Sequence, residues 1–546
     1  MTSTALLVLA HGLVALALVA FLYFRLKAYL LFYQQEEYDG RRFRRWLGRT
    51  HARDRWTSLM AGVAGVLVIA TPPQPSLLHT AADLLVVAGL GIGIGRSLRP
   101  LRGAKKPLVM TARARRILAL ALSFALALGV LIWVLAGMTT PLAPPLATLL
   151  LAQVAPYCLL VADYGLRPVE RRIKARYREE ARARLRERDP VVIGITGSYG
   201  KTSTKHILAH ILASAAPTLA TPGSVNTEMG ISRIVREELE PRHRYFIVEM
   251  GAYGKGSIAR LCRLAPPKLG IITAVGVAHY ERFGDADTVF DAKFELAEAV
   301  AARGGRTVIV GDAVPGERLA EWRARRGDRL RLVGDVDGST LRLGEVRQSR
   351  TGLALGIEGA DLPATTLEVP LYGTHQAQNV LAAVAAAREL GVPIEVIRAA
   401  LRTVPQIRHR LEVGESGGIT VIDDAYNANP TGFAAALGLL DTLVGAGGRR
   451  ILVTPGMVEL GERHAVEHAR LGALAARHVD IALVVNPGRI ESFIDAFETA
   501  KRPGASLRRF PDQAAAEAWV RSHAAAGDVV LFENNLPDLY EMRPKF

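Results

Sequence analysis

A chain of 546 residues, half of them hydrophobic, is long enough for several domains with large cores. Two cysteines, Cys158 and Cys262, exclude a disulfide framework, and thirteen histidines without metal-finger spacing exclude a zinc-finger array. The net charge of +16 suggests nucleic acid only until it is located: residues 1–189 hold 27 Lys/Arg against 11 Asp/Glu, the remainder holds 41 of each, and no nucleic-acid partner is expected.

Five apolar stretches lie among those basic residues, at 4–24, 58–71, 81–95, 117–137 and 142–166. The first, fourth and fifth approach the ~20 apolar residues that cross a bilayer. The second and third are shorter and read as a tight helical pair about Pro72-Pro73-Gln74-Pro75. Together they predict a helical transmembrane domain of about five spans over residues 1–166. No basic region precedes the first stretch, which argues against a cleaved signal peptide. Residues 25–55 carry nine Lys/Arg and 96–116 carry eight, whereas 72–79 and 138–141 carry none. Basic loops face the cytoplasm. Five spans would therefore deliver residue 167 onward to the cytoplasmic face of the cell membrane, where ATP is available. The highly charged run 167–189 predicts a linker helix.

Next comes "VVIGITGSYGKTSTKHILAHIL", residues 191–212. Val191-Val192-Ile193 reads as a buried strand, and a helix begins near Lys201. Gly197, Ser198 and Gly200 lie in a loop between them, followed by Lys201, Thr202 and Ser203. A glycine loop opening a helix points backbone N–H groups at phosphate. Lys201 would reach the terminal phosphates and the Thr202 hydroxyl would ligate Mg²⁺. The general spacing of such loops fails by one residue, since Gly194 comes one place early. The loop alone selects no reaction.

Strands are predicted at "YFIVEMG" (245–251), "LGIITAVG" (269–276) and "RTVIVGD" (306–312), with helices between. That alternation implies an α/β domain over 190–407, a parallel sheet covered on both faces. Ligands bind at the C-terminal ends of such strands, where Glu249 and His279 fall, with Lys293 on a following helix. Glu249 and Thr202 offer the oxygen ligands that Mg²⁺ takes. Each residue also has a plain structural reading: Glu249 as a salt-bridge partner, His279 as a cap, Lys293 as an exposed helical lysine beside Asp291 and Glu295. "GITVIDDAYNANP", "RRILVTPGM", "IALVV" and "GDVVLFEN" predict a smaller Rossmann-like sheet over 408–546.

In order, "GITGSYGKTS", "PGSVNTEMGI", "VEMGAYGKGSIARL", "GVAHYERFG", "DAKFELAEA", "YGTHQAQNVLAA", "RHRLEV", "VIDDAYNANP" and "PGMVELG" resemble the Mur ligase family over roughly residues 190–530. The branch they resemble most attaches D-alanyl-D-alanine. The resemblance implies an ATP-dependent carboxylate–amine ligase of peptidoglycan precursor synthesis that works through an acyl phosphate. It implies two Mg²⁺ ions, with Thr202 and Glu249 at one and His279 at the second. It assigns Lys201 to the β/γ-phosphates and makes Lys293 a carbamylated lysine ligating metal. Asn226 would lie near the acyl phosphate, Asn379 and Tyr426 at adenine, Asp424 and Asn429 at the nucleotide, and Arg410 at the phosphates. The implied partners are a nucleotide- or lipid-linked muramoyl peptide and an amino acid or dipeptide.

The chain departs from the family where a membrane segment replaces the uridine-gripping N-terminal domain. "LFENNLPD" (531–538) stands in place of a Lys-Gly-Ser-Arg strand end. His375-Gln376 replaces His-Asn, and Thr227 replaces a second asparagine. A ligase or amidating enzyme for a lipid-linked wall precursor or a poly-γ-glutamate-type capsule polymer therefore stays open. So does, in another class, an ATP-binding membrane transport or regulatory protein. The charge distribution makes one firm prediction about topology. A reporter fused after Phe546 should be active only in its cytoplasmic form, and an active periplasmic reporter at that position would overturn the five-span reading.

Overall fold

The structure is a computed structural model, described over residues 3–72, 76–137, 140–276, 286–426, 429–458 and 460–535. His279 lies outside the described residues. The chain divides into two compact units, with the boundary at Lys174–Ala175.

The first unit is a helical bundle: α1 (Ser3–Gln35), α2 (Gly40–Thr50), α3 (Trp56–Ile69), α4 (Leu77–Gly103), α5 (Ala112–Leu135) and the start of α6 (Ala143–Arg188). By length and composition α1, α4, α5 and α6 are each able to cross a membrane; α3, with 14 residues, is shorter. Its rise is about 21 Å, against a hydrocarbon core of about 30 Å. The third predicted stretch is longer than expected, because α4 extends to 27 residues.

Side-chain contacts give the helix directions. His11 meets Asp83 at 3.4 Å and the Arg25 Nε donates to Ser97 Oγ at 2.9 Å, so α1 and α4 run parallel. Thr57 donates to the Gly89 carbonyl and Thr71 meets His79, so α3 runs against α4. Gly129 faces Leu151 while Leu120 faces Gly165, so α5 and α6 are antiparallel, and the Arg113–Asp163 and Arg116–Glu170 ion pairs join them. The apolar helices thus alternate in direction, and α3, though short, reverses the chain between two parallel helices. At the basic end of the bundle the Gln34 and Gln35 side chains bond the Val109 and Lys106 carbonyls, bringing both basic loops together. Arg25 is fully buried there against Asp54 at 2.9 Å, and the two charges compensate each other in a low-dielectric setting where either alone would be costly.

The charged run predicted as a separate linker is continuous with the last apolar segment: α6 is one helix of 46 residues. Nothing in the run stops it. Arg, Glu and Ala favour helix, and Pro156 and Pro168 fall inside without ending it.

The second unit holds two sheets. The nine-stranded sheet contains β1 (Val191–Thr196), β2 (Thr218–Ala220), β3 (Tyr245–Glu249), β4 (Leu269–Ile272), β5 (Arg306–Val310), β6 (Leu330–Val333), β7 (Leu341–Ser349), β8 (Gly352–Gly359) and β9 (Leu362–Val369). Their order is β2-β3-β1-β4-β5-β6-β7-β8-β9. The strands through β6 pair in parallel, as expected, but β7, β8 and β9 form an antiparallel extension. Helices α7 (Lys201–Ala213), α8 (Glu228–Glu238), α9 (Ser257–Leu264), α10 (Ala286–Ala301), α11 (Gly316–Arg326), α12 (Gln376–Glu389) and α13 (Ile394–Leu401) cover it. Ile193, Ile247 and Ile271 pack on one face with Ile207, Ile211 and Val380. Phe246, Val248 and Ile272 pack on the other with Ile234, Phe290 and Phe294. Burial on both faces explains the uninterrupted apolar runs of these strands.

The six-stranded sheet has the order β10-β11-β15-β12-β13-β14. It comprises β10 (Glu412–Ser416), β11 (Ile419–Asp424), β12 (Arg450–Thr454), β13 (Ile481–Val485), β14 (Ser506–Phe510) and β15 (Val529–Glu533). Only β10 pairs antiparallel. Helices α14 (Pro430–Leu443), α15 (His464–His478), α16 (Glu491–Ala500) and α17 (Gln513–His523) flank it. The close approach of α15 to α16 depends on Gly472, where a Cβ would lie 2.2 Å from the Phe493 carbonyl oxygen. Gly472→Ala should therefore lower the apparent melting temperature, an outcome that a thermal scan of the full chain in detergent checks directly.

Candidate functional site

Strand β1 ends at Thr196, and the loop 197–200 turns into α7. Gly200 caps that helix with φ +79°, a conformation that suits glycine. A Cβ there would also strike the Asn379 side-chain oxygen at 2.2 Å. The loop is thus shaped by α12 as well as by its own residues. Asn379 is buried, accepts from Thr204 Oγ1 at 3.3 Å and donates to Gln376 Oε1 at 2.8 Å. Gln376, noted as a departure, is the residue that holds Asn379 against the loop. The loop's other flank is tied by Ser198, whose hydroxyl bonds the Gly276 carbonyl at 2.8 Å and accepts from the Gly276 amide at 2.9 Å. The Ser203 side chain is buried within α7.

Glu249, at the end of β3, is 1% exposed in side chain and is the hub of the site. Its Oε2 accepts from Thr202 Oγ1 at 3.0 Å and from Lys205 Nζ at 2.9 Å; its Oε1 accepts from Asn226 Nδ2 at 3.2 Å. Tyr253 donates to the Asn226 Oδ1 at 2.8 Å, and Thr227 caps α8 by accepting from the Gly230 amide. The plain reading of Glu249 as a salt-bridge partner therefore holds, and its partner is Lys205, which sequence reasoning missed. Lys205 sits one turn after Lys201, on the same face of α7.

Lys201 folds over the loop, donating to the Gly197 carbonyl at 2.6 Å. Burial lowers its pKa to about 8, Glu249 opposes that shift and Arg410 adds to it. Lys293, on α10, is 3% exposed. Its expected partners are engaged elsewhere: Asp291 with Arg318 at 2.7 Å, and Glu295 with the Gly256 and Ala259 amides. The reading of Lys293 as an exposed, salt-bridged helical lysine is overturned. Among the described residues it has no hydrogen-bond or ionic partner. Burial, and then the nearby Lys201, depress its pKa well below the ordinary lysine value.

Arg410 reaches this cluster from the C-terminal domain. Its neighbours His409 (φ +58°) and Leu411 (φ +48°) are both left-handed, a strained arrangement for non-glycine residues. The His409 amide donates to Glu412, His409 Nδ1 pairs with Asp423 at 2.7 Å, and the Leu411 amide donates to Asp424 at 3.2 Å. These bonds hold the turn so that Arg410 Nη2 lies 3.4 Å from Thr202 Oγ1 and its guanidinium stacks 4.6 Å over the Tyr426 ring. The Tyr426 hydroxyl contacts Ser224, in the "PGSVNTEMGI" segment. Asn429, expected at the nucleotide, caps α14 by accepting from the Gly432 amide at 2.9 Å.

Lys205 and Lys201 thus lie beside the buried Glu249 carboxylate, Arg410 reaches the Thr202 hydroxyl that bonds it, and Lys293 lies next to Lys201. Such an excess of positive charge suits a polyanion. The 3.0 Å between Thr202 Oγ1 and Glu249 Oε2 also fits two adjacent ligands of an octahedral Mg²⁺, whose oxygens at 2.0–2.1 Å from the ion lie about 2.9 Å apart. The residues present therefore fit the ion.

The description "Mur ligase middle domain" matches residues 195–387, and "Mur ligase, glutamate ligase domain" matches 409–533. The chain belongs to the Mur ligase family. UDP-N-acetylmuramoyl-tripeptide–D-alanyl-D-alanine ligase of Mycobacterium tuberculosis (strain H37Rv type) is 37% identical over 360 residues, 62% of this chain and 69% of that protein. The Bacillus subtilis protein of the same name is 29% identical over 354 residues, 65% of this chain and 75% of that one. The structure of MurF from Acinetobacter baumannii superposes with a TM-score of 0.59 at 26% identity, covering 66% of this chain and 78% of that one. MurF ligase from Thermotoga maritima in complex with ADP gives 0.57 at 26% identity, covering 68% and 82%. As a Mur ligase the chain is by class an ATP- and Mg²⁺-dependent acid–amino-acid ligase.

The Mur ligase sheet of the C-terminal domain holds one further residue that sequence reasoning passed over. Glu533 pairs in register with Asp424 at the C-terminal ends of β15 and β11. It is fully buried, and neither carboxylate oxygen has a hydrogen-bond partner among the described residues. Burial, reinforced by Asp424, raises its pKa well above the ordinary carboxylate range. Its neighbour Asn534, at φ +68°, donates to the Gly456 carbonyl at 2.7 Å. The signal was the "FENN" departure itself, an acid ending a buried strand. In the unfolded chain Glu533 ionises above its ordinary pKa; in the folded chain it stays protonated until well above it. Its contribution to stability is therefore full below the ordinary carboxylate range and is lost as pH rises through the folded pKa. Glu533→Gln should raise the apparent melting temperature at pH 8, with the gain shrinking as pH falls towards 4.5. A pH-independent difference would rule out an ionisation origin.

Proposed function

We propose that the protein is a membrane-anchored ligase that couples ATP cleavage to peptide-bond formation on a cell-wall precursor, in the manner of the D-alanyl-D-alanine-adding relatives. The observation that carries this reading is Lys293, a buried lysine with no ionic partner among the described residues, next to Lys201. An ATP-binding transport or regulatory protein has no use for that arrangement.

In this reading a precursor carboxylate oxygen attacks the γ-phosphorus of ATP. The bond to the bridging oxygen breaks, ADP carries that electron pair away, and an acyl phosphate forms. Lys201 and Arg410 hold the phosphates and offset the charge that spreads over the transferred group. Asn226, fixed by Tyr253 and Glu249, orients the acyl phosphate. The incoming amine then attacks the carbonyl carbon, the amine loses a proton, and phosphate leaves with the C–O electron pair. Mg²⁺ at Thr202 and Glu249 would supply charge neutralisation at the phosphates. Asp424, Tyr426 and Asn379 surround the nucleotide side of this cleft, with adenine expected beside the Tyr426 ring.

Lys293 also suits carbamylation. Its depressed pKa favours the neutral amine, whose nitrogen attacks CO₂; an N–C bond forms, one C=O π pair moves to oxygen and a proton leaves to solvent. The product is anionic, which turns an electrostatically poor neighbour of Lys201 into a good one and provides an oxygen ligand for metal. His279 completes the proposed metal set.

By its relatives' names the carboxylate substrate is a muramoyl tripeptide and the amine is D-alanyl-D-alanine. The membrane unit in place of a uridine-binding domain supports a lipid-linked acceptor as the second reading. The basic loops support a cytoplasmic location for the catalytic unit.

The experiment is mass spectrometry of the product formed by the full chain from ATP, Mg²⁺ and paired acid and amine panels, with phosphate release as a second readout. Phosphate release should require both substrates, and release with neither would favour the transport or regulatory class. Lys293→Ala should lose about a hundredfold or more of turnover, as expected for removing a group that stabilises developing charge. Removal of CO₂ should lower wild-type activity, and formate or acetate should partly rescue Lys293→Ala. Full activity of Lys293→Ala would defeat the metal-bridge role.

A further inference from the structure

The basic end of the bundle is more than a scatter of positive loops. A cavity of about 740 Å³ opens there, wholly within the membrane unit. Arg41, Arg42 and Arg44 line it from the start of α2, Arg113 from α5, and Arg167 and Lys174 from α6. Only Glu37 and Asp39 oppose them in the lining. The Asp39 carboxylate is already committed to the Arg41 and Arg42 amides at the α2 N-terminus. Arg42 pairs with Glu36 at 2.7 Å and Arg113 with Asp163 at 2.8 Å, which positions both guanidinium groups. Arg41, Arg44 and Arg167 have no acidic partner among the described residues.

The positive-inside rule accounts for basic residues at this end but not for their convergence on one cavity from three distant segments. The local packing explains the convergence. Phe43 and Trp46 are buried, with Trp46 stacked on Phe32 of α1 at 4.4 Å, which turns the arginine face of α2 outward. Arg113 lies 4.2 Å over the Tyr38 ring. One wall is apolar and leads to the bundle's outer surface: Leu160 and Tyr164 line the cavity, Tyr164 is 69% exposed, and the adjoining Val161 is 57% exposed. An exposed tyrosine next to an arginine is the pattern of a headgroup-level belt.

We infer that this cavity binds the diphosphate headgroup of a membrane lipid, with the lipid chain leaving along the Val161 side. Guanidinium groups match phosphate oxygens in pairs. A compact group of several negative charges suits convergent cations better than a single phosphodiester or two phosphates held apart by glycerol. The cavity exceeds a diphosphate in volume, which leaves room for a substituent on its far phosphate. The inference stands on the membrane unit alone and survives if the ligase reading fails.

The test uses the full chain in phosphatidylcholine nanodiscs, with polyprenyl diphosphate, phosphatidylglycerol, cardiolipin or soluble pyrophosphate as probe and native mass spectrometry as readout. Polyprenyl diphosphate should bind tightest, with soluble pyrophosphate competing more weakly. Arg44→Gln with Arg167→Gln should weaken it about tenfold or more, since each basic group near the surface adds appreciably to binding of anionic lipid. Arg45→Gln with Arg49→Gln removes the same charge from the part of α2 outside the cavity and should leave binding near wild type. Thermal melts check that both variants are folded, and the single variant Arg44→Gln serves if the double variant is not. Equal binding of phosphatidylglycerol or cardiolipin, or equal losses from both double variants, would reduce the site to general attraction and overturn the inference. Pyrophosphate binding as tightly as the lipid would reject the membrane source.

Discussion

One buried carboxylate organises the catalytic unit. Glu249 takes hydrogen bonds from α7 through Thr202 and Lys205 and from the "SVNT" segment through Asn226. Buried charges persist only when compensated, and here the compensation is lopsided: Lys201 and Lys205 share the Glu249 carboxylate, and Lys293 lies beside Lys201 with no ionic partner among the described residues. The excess is tolerable because burial and mutual repulsion depress the pKa of Lys201 and Lys293. A polyanionic substrate relieves the same imbalance, so the free energy of assembling the cations is recovered at the moment of binding.

The C-terminal domain takes part through strain. Two left-handed residues flank Arg410, and three acidic side chains pin them. Such conformations survive only where surrounding bonds over-determine them. The result is an arginine delivered from one domain to the Thr202 hydroxyl of the other. It joins the two halves of the site through one side chain.

The glycine loop and the three central strands were legible because their apolar runs and small residues follow directly from burial on both faces and from close backbone approach. Thr202 and Glu249 were legible through their place at a helix start and a strand end, and Asn226 only through the family resemblance. Lys205 was not, because a lysine within an amphipathic helix reads as solvated until the facing carboxylate is known. Glu533 was visible only as a departure in "FENN", since no local pattern says that a strand-end acid is sealed from water. Lys293 was misread by its neighbours in sequence: Asp291 and Glu295 lie two residues away on other faces of the helix, where Arg318 and backbone amides occupy them. The antiparallel strands 341–369 escaped because their alternation is weak and one face is exposed. The membrane segments were legible as apolar runs, while the contacts that fix their directions, such as His11–Asp83 and Gly129–Leu151, needed the structure.

The contact between Gly200 and Asn379 has a consequence for biosynthesis. Thr204 and Asn379 are 175 residues apart in sequence, so the loop lacks its full support until α12 has left the ribosome. At roughly 5–20 residues per second that interval is on the order of 10–35 seconds. The membrane helices are complete well before it ends. A nascent chain is therefore seated in the bilayer first and acquires its nucleotide loop later, which separates insertion in time from any chance of futile ATP turnover.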